Sequence, residues 1–280
     1  MSNFRHVLNL TLTLAKREVT SEYKGTALGR VWSLINPLAT IAVFAIIFGV
    51  VFRGRVEPGL NSGIDSFALW IGIGVLSWTF LSTGIIKGMN ALVANAGLLT
   101  KVYFPRYVLV VSAMLALCFN FSFEVIVMVL VMGLVGGPQL LLYVPMLLVV
   151  VVLTALFSTG LGLTLSVATV YFRDIRHLWG IFNQVWMYAS GVIFPISMLA
   201  TVQESLFEKG WQLGGGPIPL TTIFRANPAE MYLEGFRSIL YDFATPPWEV
   251  WASMLGWALA SMVIGVLVFT RHSGRIVEEL

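Results

Sequence analysis

Charged side chains are rare in this chain, and they gather in short stretches that could serve chemistry, a binding partner or membrane topology. One is "TVYFRDIRHLWG", residues 169–180, where Arg173, Asp174, Arg176 and His177 stand between two long apolar runs. Each of these groups is costly to bury without a partner. The stretch must therefore reach water or another protein, and its role depends on what the apolar runs are.

Glu124 is the one acid deep inside an apolar run, about 17 residues or roughly 25 Å of helix from the start of that run. An ionisable residue at such depth indicates a functional role by default. The alternative is a structural carboxyl that hydrogen-bonds a neighbouring helix. A single acid is weak support for a proton-coupled transporter, which usually needs a relay.

Motifs for nucleotide and metal chemistry are absent from the sequence. It contains no Gly-x-x-x-x-Gly-Lys-[Ser/Thr] phosphate loop and no His-Glu-x-x-His zinc motif. Its one cysteine, Cys118, cannot form an internal disulfide, and one thiol with three scattered histidines does not indicate a metal site. The 17 Lys and Arg residues form no basic run. We therefore expect no enzyme activity, no cofactor, no metal and no nucleic-acid partner for this chain.

The composition is typical of an integral membrane protein. Hydrophobic residues make up 58% of the 280 and charged residues 11%, against about 25% charged in soluble domains. Long apolar runs predict membrane-spanning helices, whereas β-barrel strands would be shorter and alternating. The predicted fold class is all-α with six transmembrane helices at about 31–52, 67–90, 107–135, 144–170, 178–198 and 248–270. The first run follows a charged segment without a cleavage site, so we expect it to stay as an anchor.

The basic residues predict the orientation, because cytoplasmic loops of membrane proteins carry an excess of Lys and Arg. With the N-terminus in the cytoplasm, five of the 17 basic residues fall in outer segments and the other twelve in inner ones. The outer five are Arg53, Arg55, Lys209, Arg225 and Arg237. Both termini, the tail 271–280 and the turn around Arg173 are then cytoplasmic.

Two longer segments lie outside the spans. Residues 4–24 place apolar side chains at helical spacing opposite polar ones, which favours an amphipathic interface helix over the strand that "LTLTL" would allow. Residues 199–247 contain Asn227-Pro228 followed by Glu230, a helix start of the capping-box type. The helix that follows is too short and charged to span, so we predict an amphipathic or re-entrant outer helix. Its apolar face comprises Tyr232, Phe236, Ile239 and Leu240.

Span five is the most aromatic and polar of the predicted spans. It contains Phe182, Asn183, Trp186 and Tyr188, and aromatic faces with amides suit sugars, which present C–H patches and hydroxyl groups. The four residues are therefore candidates for a sugar channel. The alternative is the ordinary belt of Trp and Tyr at a membrane interface.

Small residues four positions apart predict close helix packing in spans four and six, because they let helix backbones approach each other in lipid. Span four carries Ser158, Gly162 and Ser166, and span six carries Ala252, Gly256 and Ala260. Either face could also serve a second copy of the chain.

Four ordered stretches resemble the permeases of ABC type-2 exporters, the membrane subunits that export O-antigen, teichoic acid, galactan and related cell-envelope polysaccharides. They are "LAKREVTSEYKGTALGRVWSLINPL" at 14–38, "NAGLLTKVYFPRYVL" at 95–109, "VYFRDIRHLW" at 170–179 and "NPAEMYLEGFRSIL" at 227–240. Together they extend over nearly the whole chain.

The resemblance implies a homodimer that works with two copies of a separate ABC ATPase, which would hold ATP and Mg, in a bacterial plasma (inner) membrane. Its cargo would be a lipid-linked polysaccharide moved from the cytoplasm to the outer face. Residues 1–30 would form the interface helix, 31–270 the transmembrane domain, and 199–247 the extracytoplasmic gate helices. The loop 95–106 would hold a coupling helix against the ATPase, with 171–177 as a second contact. The missing phosphate loop makes such an energy-supplying partner necessary for active export.

Candidate residues follow for each cytoplasmic part. The interface helix offers Arg17, Glu18, Glu22, Tyr23 and Lys24. ATPase coupling would involve Leu98, Leu99, Lys101, Tyr103, Phe104 and Arg106, with Arg173, Asp174, Arg176 and His177 in the second contact. A helical turn over about 97–103 would expose the four apolar and aromatic residues of the loop. Clustered exposed side chains of this kind mark a binding surface, unless they dip into the lipid headgroups.

Three other functions remain open from the residues. A permease of the same family for a drug or lipid would share the fold and the partner. A secondary transporter or channel would need no ATPase, but it would need more paired intramembrane charges than this sequence has. A membrane-embedded transferase would need a catalytic acid or base facing a cavity, and Glu124 is the one candidate.

Overall fold

Helices account for almost all of the chain that the computed structural model describes, which comprises residues 2–22, 24, 56–102, 104–213 and 216–274 and single positions between 31 and 47. Within these residues, one two-residue antiparallel pair, Gln212–Leu213 with Gly216–Pro217, is the only β-structure. The all-α fold class is therefore confirmed. Apart from those single positions, the first predicted span lies outside the described residues, as do Tyr23, Tyr103 and the tail beyond residue 274.

From Phe67 onwards the helices follow one another with short connections, and a 3₁₀ turn, Pro138–Tyr143, precedes the helix that starts at Val144. Four of them are long and apolar enough to cross a membrane: Phe67–Ala94, Tyr107–Gly136, Val144–Tyr171 with the 3₁₀ turn before it, and Trp248–His272. They match the predicted spans two, three, four and six. In order, the helices are α1 Ser2–Glu22, α2 Phe67–Ala94, α3 Ala96–Leu99, α4 Tyr107–Gly136, α5 Val144–Tyr171, α6 Ile175–Tyr188, α7 Ile196–Glu208, α8 Leu220–Arg225, α9 Pro228–Leu240 and α10 Trp248–His272.

Predicted span five is divided in the structure. Helix α6 has 14 residues, about 21 Å at 1.5 Å per residue, which is shorter than the roughly 30 Å of a bilayer core. The chain then turns through residues 189–195 and continues as α7. Gly191 adopts φ 63° in this break, a conformation that glycine accepts easily, and Pro195 cannot donate a helical backbone bond. Predicted span five is therefore not among the four described helices that are long and apolar enough to cross a membrane, and predicted span one is not tested.

Span four packs against span two through the small residues that the sequence singled out. The Ser158 hydroxyl donates to the carbonyl of Leu81 at 3.1 Å. A Cβ on Gly88 would come within 2.8 Å of the Cα of Gly162, so neither backbone leaves room for a side chain. The predicted packing face of span four is therefore confirmed.

Span six uses different small residues from those predicted. A Cβ on Gly160 of α5 would collide with the backbone of Ser261, and a Cβ on Gly265 would collide with the backbone of Gly160. Ala252, Gly256 and Ala260 are exposed instead, and a Cβ on Gly256 would meet no atom within 4 Å. The prediction that they pack within the chain is wrong, because α10 presents the opposite face to α5.

Helix α9 is enclosed by α2, α5 and α10. Its predicted apolar face, Tyr232, Phe236, Ile239 and Leu240, is fully buried, and the Tyr232 hydroxyl donates to the carbonyl of Met254 at 2.8 Å. Asn227 caps the helix by accepting from the backbone N–H of Ala229 at 3.1 Å. The reciprocal bond of a capping box is not made, since Glu230 Oε2 is buried without a hydrogen-bond partner among the described residues.

The N-terminal segment is helical as predicted, and α1 packs along α4. Leu14, Ala15 and Val19 are buried. Leu14 belongs to a cluster that also holds buried residues of α2, α4, α5 and α10. Leu8 and Leu12, although on the predicted apolar face, remain exposed. Part of that face is therefore not covered by the described residues of the chain.

The backbone contact of Gly160 predicts a position-specific effect of one methyl group. We expect Gly160→Ala to lower the melting temperature of the detergent-solubilised protein, because overpacking costs about 1–3 kcal/mol. Gly256→Ala, in open space on α10, should match or exceed the wild type, because alanine favours helix over glycine. Size-exclusion chromatography after heating measures both, and equal stability of the two variants would contradict the packing described.

Candidate functional site

The loop between α2 and α4 forms the short helix α3, as predicted. Leu99 and Phe104 are buried, at 7% and 9% exposure, against residues of α1, α4 and α5 that include Leu14 and Val108. The prediction that Leu99 and Phe104 are exposed is therefore wrong. The interface helix and the ends of the spans supply apolar neighbours that the loop sequence alone does not reveal.

The exposed residues of this loop follow directly after Leu99. Thr100, Lys101 and Val102 are exposed, with Val102 at 53%. Leu98 and Arg106 are half-buried, and Tyr103 lies outside the described residues. The accessible tip of the loop thus combines a cation with one apolar side chain.

Polar contacts fasten the interface helix α1 to both spans that flank the loop. The Arg17 guanidinium donates to Asn95 Oδ1 at the end of α2. Glu22 pairs with Lys87 of α2 at 3.2 Å and accepts from Asn120 Nδ2 of α4 at 2.6 Å. Of the other candidates, Glu18 is half-buried and Lys24 is exposed. Glu22, Lys87 and Asn120 form a three-helix polar tie that sequence spacing did not indicate.

Glu124 lies on α4 one helical turn beyond Asn120 and is half-buried. The structure assigns its carboxyl no hydrogen-bond partner among the described residues. Asn120, which donates to Glu22, lies one turn closer to the N-terminal end of α4. Both interpretations of this acid, structural and functional, stay predictions.

The charged stretch at the second turn joins α5 to α6. Arg173, Asp174 and His177 are exposed, and Asp174 precedes α6 without a side-chain cap bond. Arg176 is half-buried, and its Nε has no hydrogen-bond partner within the described part of the chain. The turn therefore leaves three charged or titratable side chains free to meet water or a partner.

The four sugar-channel candidates on α6 differ in exposure, and the Phe182 and Trp186 rings lie 5.5 Å apart on one side of the helix. Asn183 Oδ1 accepts from the Ser82 hydroxyl of α2 at 3.0 Å, and Trp186 lies edge-on to Trp78 at 5.5 Å between ring centroids. Phe182 and Tyr188 are 51% and 54% exposed. Asn183 and Trp186 thus hold the helix in place, and only Phe182 and Tyr188 are accessible.

The break after α6 is closed by Arg237, for which the sequence predicted only a position in an outer segment. Its guanidinium donates to the carbonyls of Gly191 at 3.0 Å and Val192 at 2.8 Å. It lies 3.4 Å from the centre of the Trp70 ring, a cation–π geometry. Gly74 gives it room, because a Cβ there would collide with the guanidinium. One buried arginine therefore joins α9, α2 and the broken span.

Asn227 closes the other end of the same break. Besides capping α9, its Oδ1 accepts from Trp186 Nε1 at 2.8 Å. Its Nδ2 donates to the carbonyl of Ala189 at 2.9 Å and to the Ser190 hydroxyl at 3.0 Å. A helix interrupted inside a bundle leaves carbonyls without intrahelical donors, and these must find partners. The available signal was an arginine within this short helix and the asparagine that precedes it.

Burial changes the charge state of the acid at the start of α9. Glu230 is 3% exposed, and burial, reinforced by Glu234, raises its pKa to about 8, with Arg237 and Arg225 opposing. Glu230 is therefore mostly neutral at pH 7. Burial lowers the pKa of Arg237, but arginine keeps its proton in proteins.

Catalytic geometry is not found around these groups. No cluster of three or more metal-ligating side chains occurs among the residues that the structure describes. The polar groups pair with backbone carbonyls and with one another across helices. These polar contacts hold neighbouring helices together.

Comparison with known proteins agrees with this character. Residues 9–206 match the family described as ABC-2 type transporter. The chain is 28% identical over 240 residues to the O-antigen export system permease protein RfbA of Myxococcus xanthus, covering 86% of this chain and 83% of that protein. It is 19% identical over 278 residues to a protein of the same name from Klebsiella pneumoniae, covering 99% of this chain and 97% of that protein.

Removing the guanidinium at the break should destabilise the fold. In Arg237→Gln, the buried carbonyls of Gly191 and Val192 lose their donor, and each unsatisfied group costs about 1–3 kcal/mol. We expect a clear drop in melting temperature, whereas Arg225→Gln, which removes an exposed charge nearby, should have little effect. Similar melting temperatures for the two variants would show that the break does not depend on Arg237.

The buried Glu230 predicts a pH dependence. Its folded-state pKa is raised to about 8, so the unfolded chain releases this proton at lower pH than the folded one. Folding stability therefore falls as pH rises from about 5 towards 8. Melting curves should show Glu230→Gln gaining stability over the wild type across this range. Glu204→Gln, at an exposed position, should follow the wild type, and a parallel curve for Glu230→Gln would refute the assignment.

Proposed function

Because the chain belongs to the ABC-2 type transporter family, we propose that it is the permease subunit of an ATP-driven exporter of an O-antigen-type polysaccharide. The observation that carries this proposal is the similarity to two O-antigen export permeases over most of their lengths. The four membrane-length helices are consistent with a multi-pass membrane subunit.

The energy would come from an ABC ATPase, in two copies, holding ATP and Mg. The sequence contains no phosphate loop of its own. Two exposed surfaces of the described chain support a docking site: the tip formed by Thr100, Lys101 and Val102, and the turn with Arg173 and His177. In the proposed topology both face the cytoplasm, where ATP is available.

The interface helix would carry movement from this docking site into the membrane. Helix α1 shares an apolar cluster with the buried Leu99 and Phe104 of the loop and is tied through Glu22 to Lys87 and Asn120. A displacement of the loop would therefore shift α1 together with the inner ends of α2 and α4. This coupling is supported by contacts from three elements rather than by the loop alone.

The cargo path would run past the exposed side of α6. Phe182 and Tyr188 offer exposed aromatic rings there, as Ile181 and Val185 offer exposed apolar side chains, while Asn183 and Trp186 hydrogen-bond to Ser82 and Asn227 and hold the helix in place. Helices α7, α8 and α9 would form the outer gate. We propose a homodimer, because the apolar side of α6 is not covered by the described part of this chain.

We propose that the protein lies in the bacterial plasma membrane with both termini in the cytoplasm. The segment at 31–52 and the divided span five would complete six crossings. The cargo would be lipid-linked, as a polymer attached to a carrier can be drawn in from the membrane.

A permease for a drug or lipid is the second candidate, because the family match alone does not specify cargo. The names of both relatives favour polysaccharide. Co-expression with its ATPase, followed by mass spectrometry of bound glycolipid and ATP-dependent transport in proteoliposomes, separates the two. The isolated chain should not hydrolyse ATP, and hydrolysis by a preparation free of any second protein would refute the permease assignment.

The loop tip provides a sharper test of coupling than its buried residues. We expect the double variant Lys101→Asp, Val102→Asp to insert and fold normally, because both side chains are exposed, but to release the ATPase in detergent and to stop export. Leu99→Asp would instead disrupt the apolar cluster and is unsuitable.

Lys209→Asp is the matched control, since it reverses a charge on an exposed outer residue. It should retain the ATPase and export normally. A loop-tip variant that co-purifies with ATPase as well as this control and exports at the same rate would remove the loop from the coupling path.

A further inference from the structure

A groove of about 400 Å³ runs between the interface helix α1 and span three, α4. We call it the α1–α4 groove. Its walls are Leu12, Ala15 and Val19 from α1 and Leu115, Ala116 and Phe119 from α4, and Lys16 lines it as the one charged residue. Its size lies within the range of ligand pockets.

The groove has an exposed rim and a buried floor. Leu12 is 52%, Leu115 40% and Phe119 45% exposed, whereas Ala15, Val19 and Ala116 are buried. The Lys16 ammonium is exposed, and no hydrogen bond or ion pair of this group occurs with the described residues. An open apolar channel therefore ends at an unpaired cation.

Helix lengths place this groove at a membrane boundary. Helices α2 and α4 have 28 and 30 residues, about 42 Å and 45 Å, against roughly 30 Å of hydrocarbon. Their outer ends lie together, since a Cβ on Gly136 would touch Ile64, just before α2. The hydrocarbon core of a bilayer corresponds to about 20 helical residues. Counted from those outer ends, it would end near Lys87 in α2 and Leu117 in α4.

The charged contacts agree with this level. Lys87 pairs with Glu22, as expected where hydrocarbon gives way to headgroups. Leu115, Ala116 and Phe119 bracket residue 117, so the apolar wall meets the last part of the acyl region. Lys16 lies six residues before Glu22, about 9 Å along α1 and towards the loop, which is the depth of lipid headgroups.

We propose that the α1–α4 groove binds one anionic phospholipid of the cytoplasmic leaflet. An acyl chain covers Leu115 and Phe119, and the headgroup phosphate pairs with Lys16. A zwitterionic lipid offers the same phosphate beside a positive charge, so the groove favours the anionic lipid. The assignment to this leaflet rests on the proposed topology, whereas the site itself does not depend on the cargo.

Native mass spectrometry of the full chain tests the proposal directly. The purified protein is offered equal amounts of phosphatidylglycerol and phosphatidylcholine with identical acyl chains. The wild type should retain one phosphatidylglycerol in preference. Lys16→Gln should weaken that preference about fivefold, Lys16→Arg should restore it, and Lys24→Gln, which removes an exposed charge from the same segment, should keep it.

A second variant tests the apolar wall. Phe119→Ser should lower retention of both lipids without changing their ratio, because it removes covered area and no charge. Equal retention of the two lipids by the wild type, or a preference that survives Lys16→Gln, would overturn the proposal. Displacement of phosphatidylglycerol by the ATPase would also overturn it, and would assign the groove to that partner instead.

Discussion

The outer half of this protein depends on how the carbonyl groups at the break in span five find hydrogen-bond donors. Water cannot serve them inside a packed bundle, and a carbonyl left unpaired there is costly. Arg237 supplies donors to Gly191 and Val192, and Asn227 supplies one to Ala189. Both residues lie on or beside α9, so the short outer helix can be enclosed by the bundle only in the one position that closes the break.

Helix α2 links the break in span five with the loop that follows α2. Near its N-terminal end, Trp70 and Gly74 receive the guanidinium of Arg237. Near its C-terminal end, Lys87 binds Glu22 of the interface helix. A movement imposed on that loop can therefore reach α9 and the break through one helix.

Hydropathy was sufficient to predict four spans, because long apolar runs have no other stable solution in lipid. Residue spacing also found the packing face around Gly162 and the buried face of α9 around Tyr232. It failed where the partner is distant in sequence. Leu99 is buried in a cluster that includes Leu14 of α1, roughly 85 residues away, and Arg237 binds carbonyls 45 and 46 residues before it. Such contacts follow from tertiary packing, which a local pattern does not contain.

The central claim is that this chain is a permease driven from its cytoplasmic face by a separate ATPase. A cryo-electron microscopy structure of the chain bound to that ATPase tests it most directly. The account predicts ATPase density against Lys101 and Val102 and beside Arg173, with the interface helix still paired to Lys87 through Glu22. An ATPase seated on the opposite face, or one that contacts neither the loop nor the turn, would contradict it.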